Sequence, residues 1–247
     1  SRTLRQLAKI LDRLRYRQTT FSGSAISVQA TAKPWVRDFG MVFLEEELPP
    51  APPWPEKRWI DEWENARALV LHDGSSAGVA QALVDALVAK GSRAEHAQWT
   101  EGSSLESVNE DISHVFAVLP RLAESLENEE RVRRLTEWLA TITHIERAAR
   151  APRRQTTLSL VQFGGGFFGN GSHTPEFEQC CGRALGASLH LERQDLRVRV
   201  TDFAQGLAPD LIAEKTLEEI AAPGDFCAAG YDLKLRRRVP KAQLMDT

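Results

Sequence analysis

From Trp59 onward, short apolar runs alternate with stretches in which apolar residues recur every three or four positions. Ala68 to Leu71 predicts a short buried strand, and Gln81 to Ala89 a helix closed by Lys90-Gly91. Arg93 to Trp99 and His114 to Leu119 predict two more strands, the latter ended by Pro120. Val132 to Ala149 predicts a long helix with Leu135, Leu139, Ile142 and Ile145 on one face. Thr157 to Phe163 predicts a fourth strand and Phe177 to Leu189 a helix. Leu196 to Phe203 alternates as a strand, and Leu211 to Ala221 predicts a last helix. Strand and helix in alternation predict an α/β domain, a doubly wound, Rossmann-like parallel sheet with helices on both faces.

The first sixty residues read differently. Leu4, Leu7, Ile10, Leu11 and Leu14 fall at helical spacing with basic residues between them, which predicts an amphipathic helix docked on a neighbouring surface. Ala25 to Ala30 and Met41 to Leu44 are β-prone. "LPPAPPWPE", with five prolines in nine residues, predicts an extended connector rather than an SH3-type ligand. Residues 1–40 are therefore an N-terminal helix and linker that could belong to an upstream region, and 41–247 are the Rossmann-like domain.

Composition narrows the function classes. Apolar residues make up 42% of the 247 and charged residues 26%, with a net charge of −3, so no nucleic-acid footprint is expected. No apolar run approaches membrane-spanning length. The chain opens on Ser, and a piece of a longer protein is expected. Cys180, Cys181 and Cys227 form no paired set, which suits a reducing, cytoplasmic setting.

The chemistry is tested at two places. The turn Gly74-Ser75-Ser76-Ala77-Gly78-Val79-Ala80 follows the first strand. Short-chain dehydrogenases commonly carry G-x-x-x-G-x-G there, so that backbone N–H groups approach a pyrophosphate. Here Ala80 replaces the third Gly, and Asp73 puts a negative charge at the turn, unless it serves as a local turn residue. Such reductases also use Tyr and a Lys four residues later, with Ser thirteen residues before the Tyr. Neither Tyr16 nor Tyr231 begins such a motif. Counting along the fourth strand and the helix after it puts Gly164, Phe177 and Cys181 where Ser, Tyr and Lys would stand. Phe cannot donate a proton.

Other candidates favour structural roles. His114 and His144 read as core or surface histidines, and His173 has no partner at metal-ligand spacing. Cys180 and Cys181 follow a helix start, where packing is favoured over a reactive thiol. "GGGFFGNG" lacks the GK[ST] of a phosphate loop. "LRRRVP" reads as a solvated or inter-domain edge. No catalytic, cofactor-binding or metal residue is assigned, and no cofactor.

The order of "LVLHDGSSAGVAQALVDALVAKG", "HVFAVLP", "GRALGASLHLERQDLRVRVTDF" and "GYDLKLRRRVP" resembles the structural, non-catalytic subdomain of a ketoreductase from a bacterial modular or iterative type I polyketide synthase. "VQFGGGFFGNG" resembles versions from iterative and trans-acyltransferase-type synthases. The resemblance implies a truncated Rossmann-like unit that is no enzyme by itself. It would brace an NADPH-binding catalytic half or neighbouring synthase domains, its expected partners, with neither nucleic acid nor membrane. The alternatives are a pseudo-ketoreductase spacer beside a methyltransferase or dehydratase, and a free-standing short-chain-type oxidoreductase. The bracing face is expected among Val42, Leu44, Tyr231, Leu233 and Val239, unless these chain-end segments pair with each other.

Overall fold

The computed structural model describes residues 39–50, 63, 66–100, 112–121, 126–148, 156–170, 177–193 and 195–244. The expected helix around Leu4 to Leu14, the β-prone Ala25 to Ala30, most of the proline-rich connector and His173 lie outside them.

Eight strands form one sheet: β1 (Phe39–Glu45), β2 (Arg67–His72), β3 (Arg93–Gln98), β4 (His114–Val118), β5 (Thr156–Gln162), β6 (Leu196–Phe203), β7 (Phe226–Tyr231) and β8 (Arg237–Leu244). Four helices join them: α1 (Ala77–Ala89), α2 (Asn128–Ala148), α3 (Cys181–Glu192) and α4 (Pro209–Ala221). The spatial order is β1-β8-β7-β6-β5-β4-β2-β3. The pairings from β3 to β7 are parallel, as expected of strands joined by helical crossovers. β8 returns antiparallel to β7.

The expected α/β fold is present, and the order refines it. The chain reverses direction across the sheet between β2 and β4. Beyond β2 stands a single strand, β3, where the dinucleotide-binding order 3-2-1-4-5-6 has two. The sheet is a shortened version of that plan.

Side chains alternate between the two faces, as strand geometry requires. Leu69, Leu71, Val115, Ala117, Leu158 and Leu160 join Trp138, Ile142 and Ile145 of α2 and Leu189 of α3 in one core. Ala68, Val70, Phe116 and Val118 join Leu83 and Leu87 of α1 and Ile212 and Ile220 of α4 in the other. Each fully buried aliphatic or aromatic side chain contributes about 1.5–3 kcal/mol, so these two layers are the main source of stability. α3 lies tightly on the sheet because Gly186 has no side chain. A Cβ there would stand 2.8 Å from Val200 Cγ2.

"GYDLKLRRRVP" forms the turn and flanks of the β7–β8 hairpin, with Tyr231 opposite Arg237. The Asp232 carboxylate makes the turn by accepting from the N–H groups of Lys234 (2.9 Å) and Arg236 (3.0 Å), and Leu235 takes φ 57°. In the expected bracing face, Tyr231 is buried, its ring stacked on Phe203 at 5.5 Å, while Leu44 and Leu233 are exposed. β1 and β8 are neighbours in the sheet, so the chain-end segments do pair with each other.

Candidate functional site

In open α/β sheets ligands bind outside the carboxyl ends of the strands, at the point where the strand order reverses. Here that edge is formed by the turns after β2, β4, β5 and β6.

The turn after β2 runs through one 3-10 turn, Gly74–Ser76, into α1, which begins four residues before the expected Gln81. Neither Gly74 nor Gly78 has a positive φ. Asp73 is extended, and its carboxylate accepts both hydrogen bonds of a fork to Ser75 Oγ (2.7 and 2.8 Å), so it is the local turn residue. Ser75 Oγ also accepts from the Arg121 N–H at 3.2 Å. This bond ties the β2 turn to the chain leaving β4, across the reversal point. The Arg121 guanidinium lies 4.0 Å from the centre of the Phe163 ring. Ala80, in place of the third glycine, is fully buried.

The turn after β5 is built around Asp202, the penultimate residue of β6. Gly164 N (2.5 Å) and Gln162 Nε2 (3.0 Å) donate to its Oδ1, and Phe168 N (2.8 Å) donates to its Oδ2. Gly165, Gly166 and Gly169 take positive φ, and so does Phe168, at 53°. The strain at Phe168 costs about 1–2 kcal/mol. Burying its ring in the α2–α3 core offsets that. Burial drives the Asp202 pKa up to about 6, while the hydrogen bonds from Phe168, Gln162, Gly164 and Gly166 oppose the rise.

Gln179, in the 3-10 turn Phe177–Cys180 that leads into α3, closes the same network. Its carbonyl accepts from Gln162 Nε2 (2.5 Å), its Oε1 from Phe163 N (2.8 Å), and its Nε2 donates to Pro120 O (2.7 Å). The preceding Glu178 is fully buried and bridged twice by Arg131 of α2, at 2.6 and 2.7 Å.

Of the three positions reached by counting, Phe177 and Cys181 flank Gln179 in sequence, and the Gln179 carbonyl faces Gly164. The Phe177 ring carries the Arg131 guanidinium at 4.9 Å. Cys181 donates its S–H to Glu178 O (3.0 Å), and burial pushes its pKa up to about 12. Burial, with Asp202 and Glu178 nearby, also raises Cys180. These thiols are packed and protonated. At Gly164 an added Cβ would stand 2.6 Å from Gly169 N, 2.7 Å from Asp202 Oδ1 and 3.0 Å from Gln179 O, so no side chain fits.

Two further clusters lie apart from this network. Glu219 of α4 accepts from Tyr231 Oη (2.6 Å) and from Arg237 Nε (2.5 Å) and Nη2 (3.1 Å), binding α4 to the β7–β8 hairpin. Arg197 and Arg199, both fully buried, donate to the carbonyls of Glu219, Ala222 and Gly224 at the end of α4. They satisfy the carbonyls that a helix leaves open at its C-terminus. His114 is buried, 2.9 Å from Ser113 Oγ, and His144 is exposed. Among the described residues no three His, Cys, Asp or Glu form a metal-binding group, and no helix is long and apolar enough to cross a membrane.

No family model matches the sequence, and no curated protein does. Solved structures do. The chain is similar to an adenylation, ketoreductase and pseudo-Asub multidomain structure of a keto acid-selecting nonribosomal peptide synthetase module, with TM-score 0.60 and 10% identity, covering 84% of this chain and 18% of that one. It is also similar to a C2-type ketoreductase from a modular polyketide synthase, with TM-score 0.57 and 11% identity, covering 85% of this chain and 44% of that one. A short-chain dehydrogenase/reductase-family oxidoreductase from Burkholderia thailandensis gives TM-score 0.50 and 13% identity, covering 66% of this chain and 90% of that one. The fold is that of ketoreductase and short-chain reductase domains, and the chain spans less than half the length of the first two proteins.

Proposed function

We propose that this chain is a non-catalytic, ketoreductase-like structural subdomain of a polyketide synthase, bracing an NADPH-binding catalytic half or neighbouring domains. The observation that carries the reading is the filled place at Gly164, where a reductase would carry its serine and where this backbone leaves no room for a Cβ. Phe177 and Cys181, in the places of Tyr and Lys, are engaged with Arg131 and Glu178. The reversal point, where a dinucleotide would cross, is spanned by the Arg121–Ser75 hydrogen bond with the Asp73 carboxylate beside it. The likenesses to ketoreductases cover 84% and 85% of this chain.

The test is co-expression of the chain with the segment encoded downstream of it, combined with calorimetric titration of each part. The isolated chain gives no saturable heat with millimolar NADPH, and it co-purifies with a downstream half that does bind NADPH. Micromolar NADPH binding by the isolated chain, or ketone reduction by it, overturns the proposal.

A further inference from the structure

His72 ends β2 and His96 lies near the end of the neighbouring parallel strand β3. Their rings meet at the sheet's carboxyl edge, outside the Asp202 network, with centroids 5.1 Å apart and planes inclined by 51°. His72 Nε2 stands 3.0 Å from His96 Nδ1, and His72 Nδ1 stands 2.6 Å from the Asp73 carbonyl. A carbonyl only accepts, so His72 carries its proton on Nδ1. Its Nε2 lone pair therefore points at His96, which donates from Nδ1. His72 is 1% exposed, whereas His96 is open to solvent.

We propose that this pair binds one divalent transition ion of the copper, zinc or nickel class. A backbone carbonyl that fixes the far nitrogen of a histidine is the usual support of a metal-ligating imidazole. Two nitrogens on one tetrahedral ion stand about 3.3 Å apart. The observed 3.0 Å is close to that separation, and each ring must also turn so that the two lone pairs converge on the ion. Both rings are carried by adjacent strands in fixed register, so little ordering remains to be done on binding. The ion takes the place of the bridging proton, which passes through solvent to His96 Nε2, and no net proton is lost. No third His, Cys, Asp or Glu joins the pair among the described residues, so water completes the coordination. Imidazole ligation ranks copper first among these ions. The ion would clamp β3, which among the described residues pairs only with β2, across their carboxyl ends.

Titration of the full chain with Cu2+ and with Zn2+, read by calorimetry and by copper electron paramagnetic resonance, tests the site. Wild type takes up one ion per chain, and the copper spectrum carries hyperfine splitting from two nitrogens. His96→Gln, an exposed change that leaves the circular dichroism spectrum unaltered, weakens binding at least tenfold and removes one nitrogen. His144→Gln, on α2, changes neither. Absence of saturable uptake by wild type, or equal affinity in His96→Gln, overturns the proposal.

Discussion

Gly164→Ser restores the hydroxyl that a reductase would have at this position, and the structure assigns it a cost. The new Cβ meets Gly169 N at 2.6 Å, Gln179 O at 3.0 Å and Asp202 Oδ1 at 2.7 Å. Two of these are backbone atoms, so relief cannot come from a flexible side-chain end. Moving Gly169 strains its 2.9 Å hydrogen bond to Gly164 O. Moving Asp202 breaks the bonds from Gly164 N, Phe168 N and Gln162 Nε2. Overpacking costs about 1–3 kcal/mol, and loss of one hydrogen bond to a charged acceptor about 1.5–3 kcal/mol. Together they give about 2.5–6 kcal/mol, a large share of a domain's usual stability of about 5–15 kcal/mol. With a urea m-value of about 2–3 kcal/mol/M, the unfolding midpoint falls by about 1–3 M. The assay is urea unfolding followed by tryptophan fluorescence, to which the fully buried Trp138 contributes. Gly165→Ala is the control, because its φ is +84° but nothing lies within 4 Å of the added Cβ, so it pays backbone strain alone, about 1 kcal/mol. If Gly164→Ser lowers the midpoint no further than Gly165→Ala, the steric argument is wrong. The triple variant Gly164→Ser, Phe177→Tyr, Cys181→Lys should also leave NADPH unoxidised with a ketone substrate, and turnover would contradict the proposed function.

Arg131→Ala leaves Glu178 buried without its bidentate partner and should cost about 3–5 kcal/mol in urea unfolding, most of it recovered by adding Glu178→Gln. Equal costs in the single and double variants would show that the pair is not coupled. Glu219→Ala strands Arg237 and Tyr231 and should destabilise by a similar ~3–5 kcal/mol, with faster amide exchange in the β7–β8 hairpin than in β4, and uniform exchange would refute that localisation. Asp202 gives a pH signature. Its pKa rises from 3.8 to about 6 on folding, so between these values the folded state holds more proton than the unfolded chain. Stability therefore falls as pH rises from about 4 to about 7, by about 3 kcal/mol at most, and Asp202→Asn should lack that slope. Parallel pH profiles for the two proteins would rule it out.

Periodicity in the sequence located the elements of the parallel core because each strand there is a short, dense apolar run and each helix carries a wide apolar face. It failed where side chains override the pattern. The run from Tyr231 to Val239 keeps an apolar alternation through Leu233 and Leu235, which hides a turn fixed by one carboxylate, Asp232. Arg197 and Arg199 alternate with Val198 and Val200, yet both are buried. Their partners are carbonyls at the end of α4, twenty or more residues on, and backbone carbonyls leave no mark in a sequence. The positions of Gly164, Phe177 and Cys181 were legible by counting, since they sit on either side of one strand-to-helix connection. Asp202 was visible only as a strand ending in an acid. What it does depends on N–H groups 34 and 38 residues away. The partnership of His72 with His96 depends likewise on strand register, which the sequence does not state.

The carboxyl edge of a parallel sheet is a place of surplus backbone donors, because turns and helix starts leave their N–H groups pointing outward there. In enzymes of this architecture, ligand oxygens accept from such groups. Where no ligand oxygen stands, the chain must supply acceptors of its own, since an unsatisfied buried N–H costs about 1–3 kcal/mol. Asp202 does this for the turn after β5, where Gly164, Gly166 and Phe168 all donate to it. Gln179 Oε1 does it for Phe163, and Ser75 Oγ for Arg121. These side chains thus hold the edge together. Gly164 could not carry a serine without displacing the carboxylate that organises its own turn. Order in this turn and room for a side chain at position 164 therefore exclude each other.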